Sequence, residues 1–235
     1  PSMAISGAGA IVTNFSDLDT TALVDGARVT GIGTDTTTVA VRALSDLIQV
    51  SVAGGGALSM AKNTSTTFSA AIGGAIAIQK SDDDTRARIV DSTLEDLADQ
   101  AGSLVVQAIK SGERTAVATG ISASLSKGST TNWSVAGSAS VTTSTDDTRA
   151  LLENTDVTGD VASPIAMGVQ VVAYDRSRIG AGGGALSVST GKGSASAGAA
   201  ISIVDMKGST SAVLNAGTMT RVHDLAVAAL SSQKV

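Results

Sequence analysis

The sequence predicts an all-β chain folded as a β-solenoid, expected as a right-handed β-helix of about 3.5 copies of a repeat of about 63 residues. Three observations predict it. Landmarks recur in constant order at a nearly constant interval. Within each copy, short runs of β-branched and aliphatic residues alternate with polar ones between Asp, Ser, Thr, Asn and Gly clusters. Hydrophobic residues make up 43% of the 235, yet Phe, Trp and Tyr only 2%, so Ala, Val, Ile and Leu must fill a thin core between close sheets.

The first landmark is Thr-x-Ala followed by aliphatics, starting at Thr20, Thr85, Thr148 and Thr210, with intervals of 65, 63 and 62 residues. The second puts alanines at Ala43, Ala108, Ala173 and Ala229 within Val/Ile/Leu runs. The third is literal: Gly54-Gly55-Gly56-Ala57-Leu58-Ser59 returns as Gly182-Gly183-Gly184-Ala185-Leu186-Ser187, with a degenerate copy from Gly120 between them. The fourth precedes each Thr-x-Ala, at Ala10-Ile11, Ala75-Ile76, Ser138-Ala139 and Ala200-Ile201. The whole chain, 1–235, reads as one solenoid segment, with repeats at 4–69, 70–134, 135–197 and an incomplete 198–235.

A repeat this long is expected to make two or three coils, giving roughly ten coils and a rod on the order of 50 Å. No copy could bury its apolar face alone, so adjoining repeats are the first partners expected. The Gly/Ala-rich segments around 53–78 fit either coil strands or a hairpin docked on the rod. Copies differ in length mainly at one connector, 31–38, 95–102 and 159–166, which marks a surface loop. The second of these could form one helical turn.

Composition excludes several functions. Net charge is −5 with 16% charged residues, which opposes a nucleic-acid interface and a polybasic membrane anchor. No run of 18 uncharged apolar residues suggests membrane insertion. Pro1-Ser2-Met3 lacks the start of a signal peptide, so the chain reads as part of something longer. Cysteine is absent, removing thiolate chemistry and disulfides, as suits a chain exported through an oxidising periplasm.

Candidate sites are weak. A single histidine, His223, denies the chain a Ser-His-Asp triad or a multi-histidine metal centre. Asp82-Asp83-Asp84 could suggest calcium, but its counterparts Asp17-Leu18-Asp19, Thr145-Asp146-Asp147 and Lys207-Gly208-Ser209 read as solvated turns. The glycine runs lack a phosphate-loop pattern. Asn14, Asn63 and Asn132 open glycosylation triplets that a Ser/Thr-rich chain produces by chance. Trp133 and Tyr174 could stack on a sugar or cover the edge of a coil. Glu95, Asp96 and Asp99, and Asp175, Arg176 and Arg178, break the repeat and are the places a grafted polysaccharide lyase or hydrolase site would occupy. We assign no catalytic, cofactor-binding or metal residues.

The order of small-residue sheet, Asp/Asn-rich turn, Thr-x-Ala-x-Ile, loop, Val-x-Val-x-Ala and Ala-Gly-Gly-Gly-Ala resembles the leukotoxin-type filamentous adhesin repeats of Gram-negative bacteria. The Asp-Gly turn after Thr-x-Ala survives only at Asp25-Gly26. The resemblance implies a structural stalk in a cell-surface or secreted exoprotein, extracellular, without enzymatic activity or cofactor. It leaves open end-to-end or lateral self-association and a host or matrix glycan or protein ligand. The alternatives are a carbohydrate-active β-helix and a module binding through its variable loops.

Overall fold

The computed structural model describes residues 2–31, 38–61, 67–97, 104–127, 131–160 and 167–235. Each repeat contributes a long strand, a short strand and a second long strand. The first repeat gives β1 (Ser2–Asp25), β2 (Arg28–Thr30) and β3 (Val39–Ala61). The second gives β4 (Thr67–Val90), β5 (Thr93–Leu97) and β6 (Leu104–Ser126). The third gives β7 (Thr131–Glu153), β8 (Asp156–Gly159) and β9 (Met167–Thr190), and the fourth β10 (Ser194–Asn215), β11 (Met219–Thr220) and β12 (Val222–Ser231). These stack as three parallel sheets: β1-β4-β7-β10, β2-β5-β8-β11 and β3-β6-β9-β12. The all-β solenoid read from the sequence is the fold.

The coil count read from the sequence needs correction. One repeat is one coil, because Thr20 pairs directly with Thr85, Thr85 with Thr148 and Thr148 with Thr210. Ala43, Ala108, Ala173 and Ala229 likewise stack in one column. Strands of 22 to 24 residues run straight through the polar clusters that look like turns in the sequence. At ~3.3 Å per residue a coil is roughly 75–80 Å wide, while four levels ~4.8 Å apart span only about 15 Å. The segment is a broad slab rather than a thin rod. The Gly/Ala-rich stretches are coil strands, β3 and β4 lying in two facing sheets. The literal glycine repeat is shifted in space: Gly54 aligns through Thr119 with Gly184, two residues from its sequence match at Gly182.

One end of the slab is three-sided. Here the short strands close the coil, and Ile89, Leu94, Leu97, Leu104, Val106, Leu152 and Val157 are fully buried together. Each such side chain contributes roughly 1.5–3 kcal/mol through removal from water. The corner from the first sheet to the second is made by Gly26, Asp91 and Asn154, all at positive φ (59°, 50° and 44°). These three stack one coil apart, so the left-handed position aligns Gly26 with Asp91 and Asn154. Asp and Asn are among the non-glycine residues that tolerate it best. Their N–H groups carry the ladder around the corner, Gly26 to Val90 O and Asn154 to Asn215 O.

Toward the other end the two long sheets converge into a blade. Its interior narrows to Ala53, Ala75, Ala77, Ala116 and Ala118. Beyond that the backbones touch: a Cβ added at Gly55 would collide with the Gly74 carbonyl, and one at Gly120 with the Gly137 carbonyl. No other residue type fits so close an approach. At the blade's edge serines bridge the sheets, Ser59 to Ser69 at 2.8 Å and Ser122 to Ser134 at 2.7 Å.

Candidate functional site

The densest cluster of chemistry lies inside the slab, between the aliphatic end and the alanine layer. Asp83 on β4 and Asp146 on β7 occupy one inward column, one coil apart. Lys110 and Arg114 reach them from β6. All four side chains are at most 1% exposed. Lys110 Nζ lies 2.8 Å from Asp146 Oδ1 and donates to the Asp83 carbonyl at 2.7 Å. The Arg114 guanidinium bridges both carboxylates, at 3.0 Å to Asp146 Oδ2 and in a short contact with Asp83 Oδ2. Ser16 Oγ and the Leu18 N–H donate to Asp83 Oδ1, both at 3.1 Å, and Ser144 Oγ donates to Asp146 Oδ2 at 2.6 Å.

Two cations and two carboxylates leave the quartet neutral, which is what makes its burial tolerable. Closed off from solvent, it has no room for a substrate; its role here is to hold the two long sheets in register. The reading of Asp82–Asp84 as a solvated turn is therefore corrected. The three residues sit mid-strand, with Asp83 inside and Asp82 and Asp84 on the outer face. Burial pushes the Asp84 carboxyl up despite its Arg86 partner, helped by Asp147, Asp19 and Asp82 nearby. Among the described residues no three His, Cys, Asp or Glu side chains gather as a metal site.

The sequence's other candidates do not converge. Asp175 is buried, accepting from Ser177 Oγ at 2.6 Å and Gln233 Nε2 at 2.7 Å. Arg176 points the other way, over the Tyr174 ring at 5.1 Å, where it donates to the phenol oxygen. Glu95 pairs with Arg28 at 2.7 Å, and Asp96 stands beside it in β5 at φ 53°. The expected helical turn is in part a strand, β5, which runs to Leu97. Asp99 lies outside the described residues, as do 32–37, 98–102 and 161–166 of the variable connectors and Asn63. Asn132 is buried, its amide donating to Ser126 Oγ and to the Thr190 carbonyl, so it offers nothing to glycosylation. His223 is exposed beside Asp224. Trp133 is half exposed on the outer face between Ala70 and Ala195, beside Ser134 at the blade's edge.

The surface has shallow depressions. One of about 680 Å³ on the outer face of the first sheet is lined by glycine, alanine and isoleucine with one serine, and has no group able to move a proton. Another of about 290 Å³ gathers Glu113, Arg178 and Lys234. It brings one acidic side chain where glycoside hydrolysis uses two. Compared with family models, curated proteins and solved structures, the chain matches none.

The quartet left a signal in the sequence. Lys110 and Arg114 share parity with Leu104, Val106, Ala108, Ala116 and Ala118, and Asp83 shares it with Ala77, Ala87 and Ile89. Following period two through the polar stretch, instead of stopping at it, places all of them inside.

Proposed function

We propose that this chain is a scaffold segment of a filamentous-adhesin-type exoprotein, exposed at the bacterial surface or secreted, whose work is to extend a stack of coils. The observation that carries this reading is the direct stacking of Thr20, Thr85, Thr148 and Thr210. Equivalent residues meet equivalent residues, so a coil can be added or removed along the axis without inventing a new interface. The densest charged cluster is spent on internal cohesion, which suits a load-bearing element better than a grafted active site.

Removing one coil in register tests it. Ser69 pairs with Asn132, so deleting 69–131 joins Phe68 to Asn132 and leaves a shorter stack. The expected result is retained β-sheet circular dichroism and cooperative unfolding, with no product released from acidic or neutral polysaccharides by either form. Polysaccharide cleavage by the intact chain that is abolished by Glu113→Gln would overturn the scaffold reading and favour a carbohydrate-active solenoid.

A further inference from the structure

The outer face of the blade is apolar to a degree that the scaffold reading does not use. On the sheet β1-β4-β7-β10, charges begin at the row of Lys80 and Asp205. The six outward columns between Met3 and Thr13 carry none. Ile5, Ile11, Ile72, Trp133 and Ile201 are 52–70% exposed there. Six columns at ~6.6 Å and four strands at ~4.8 Å give roughly 760 Å². That exceeds the largest patch usual on a monomer, ~300–600 Å², and approaches the ~800 Å² per partner of a standard stable interface.

The relief of the face identifies the occupant. Gly9, Gly74, Gly137 and Ala199 stack into a groove, the 680 Å³ depression described above. Directly beside it Ile11, Ile76, Ala139 and Ile201 form a ridge. A twofold axis parallel to the stack and midway between these two columns sets each ridge residue opposite the groove residue of its own level in a second copy. Isoleucine meets glycine at the β1 and β4 levels and Ala199 at the β10 level, Ala139 meets Gly137 at the β7 level, and the absence of charge means like faces can meet without repulsion. A twofold along the strands would instead oppose ridge to ridge. The facing sheet β3-β6-β9 lacks such relief, since Gly54 and Gly184 flank Thr119 in the corresponding column.

We propose that this face is an isologous dimer interface, pairing two copies of the chain side by side with their stacks parallel. The pairing stands on the geometry of the face and is independent of whether the chain is a scaffold. Sedimentation equilibrium on the intact chain is expected to show twice 23.0 kDa at micromolar concentration. Gly74→Leu with Gly137→Leu is the discriminating variant. A Cβ at Gly137 meets nothing within 4 Å and one at Gly74 only the Gly137 oxygen at 4.0 Å, so the monomer accommodates both while the groove is filled. It should be monomeric, although it is more apolar than the parent. Ile11→Lys with Ile201→Lys, at exposed positions on the two outermost strands of this sheet, should also be monomeric and covers the case where the leucine variant misfolds. A monomeric parent, or association strengthened by the leucines as in non-specific adhesion, would overturn the pairing. So would binding of a monomeric parent to phosphatidylcholine vesicles, which would assign the face to lipid.

Discussion

Arg114→Met tests the buried quartet. The substitution keeps most of the stem volume and leaves Lys110 alone between the Asp83 and Asp146 carboxylates, in a layer at most 1% exposed. Removing one member of a buried ion network and stranding its partners costs about 3–5 kcal/mol, a large fraction of the ~5–15 kcal/mol that holds a typical domain folded. The chain supplies its own control. The column of Asp83 is occupied by Leu18 one coil earlier, 38% exposed on the first coil, and by Gly208 two coils later, so the column itself does not require a charge. In Arg114→Met with Asp83→Leu, one cation and one carboxylate remain, Lys110 and Asp146, 2.8 Å apart. Urea unfolding of parent, both single variants and the double variant forms a double-mutant cycle. The double variant is expected to recover at least about 2 kcal/mol of the summed single losses. A single-variant loss under about 1 kcal/mol, or strict additivity, would refute the claim that the four charges hold one another inside.

Two further outcomes follow from other layers. Gly120→Ala is expected to destabilise by about 1–3 kcal/mol or more, because its Cβ collides with the Gly137 carbonyl, whereas Gly137→Ala should be near neutral in thermal unfolding. Asp156 accepts from the Thr218 hydroxyl at 2.7 Å and N–H at 2.8 Å, which hold its carboxyl below the usual range. A folded value below the unfolded one gives stability that is present at neutral pH and lost as pH falls through the folded value. Asp156→Ala should therefore lower Tm at pH 7, and the gap should close below about pH 4.

The fold class was legible because stacking demands repetition. Thr20, Thr85, Thr148 and Thr210 are visible in sequence for the same reason that they are partners in space. The size of the coil was not legible. Strands average about five or six residues, so Asp82–Asp84 and Lys207-Gly208-Ser209 read as punctuation, when β4 and β10 continue through them. What carries the strands through is the polar interior, where Asp83 meets Arg114 and Gln79 Nε2 meets Gln49 Oε1 at 3.1 Å. Local composition cannot reveal a partner thirty or more residues away. Parity can, and it would have placed Lys110 and Arg114 inside. The outer apolar face was hidden because its columns form only after four coils align.

The architecture rests on one repeat making one coil, and a spin-label distance tests that most directly. Asp17 and Lys207 are exposed, outward members of one column, three levels apart. With nitroxides attached at Asp17→Cys and Lys207→Cys in this cysteine-free chain, electron–electron double resonance should give a distance centred near 15 Å, from three spacings of ~4.8 Å. Two or three coils per repeat would separate the same labels by about 30–45 Å, and a distribution centred there would contradict the architecture.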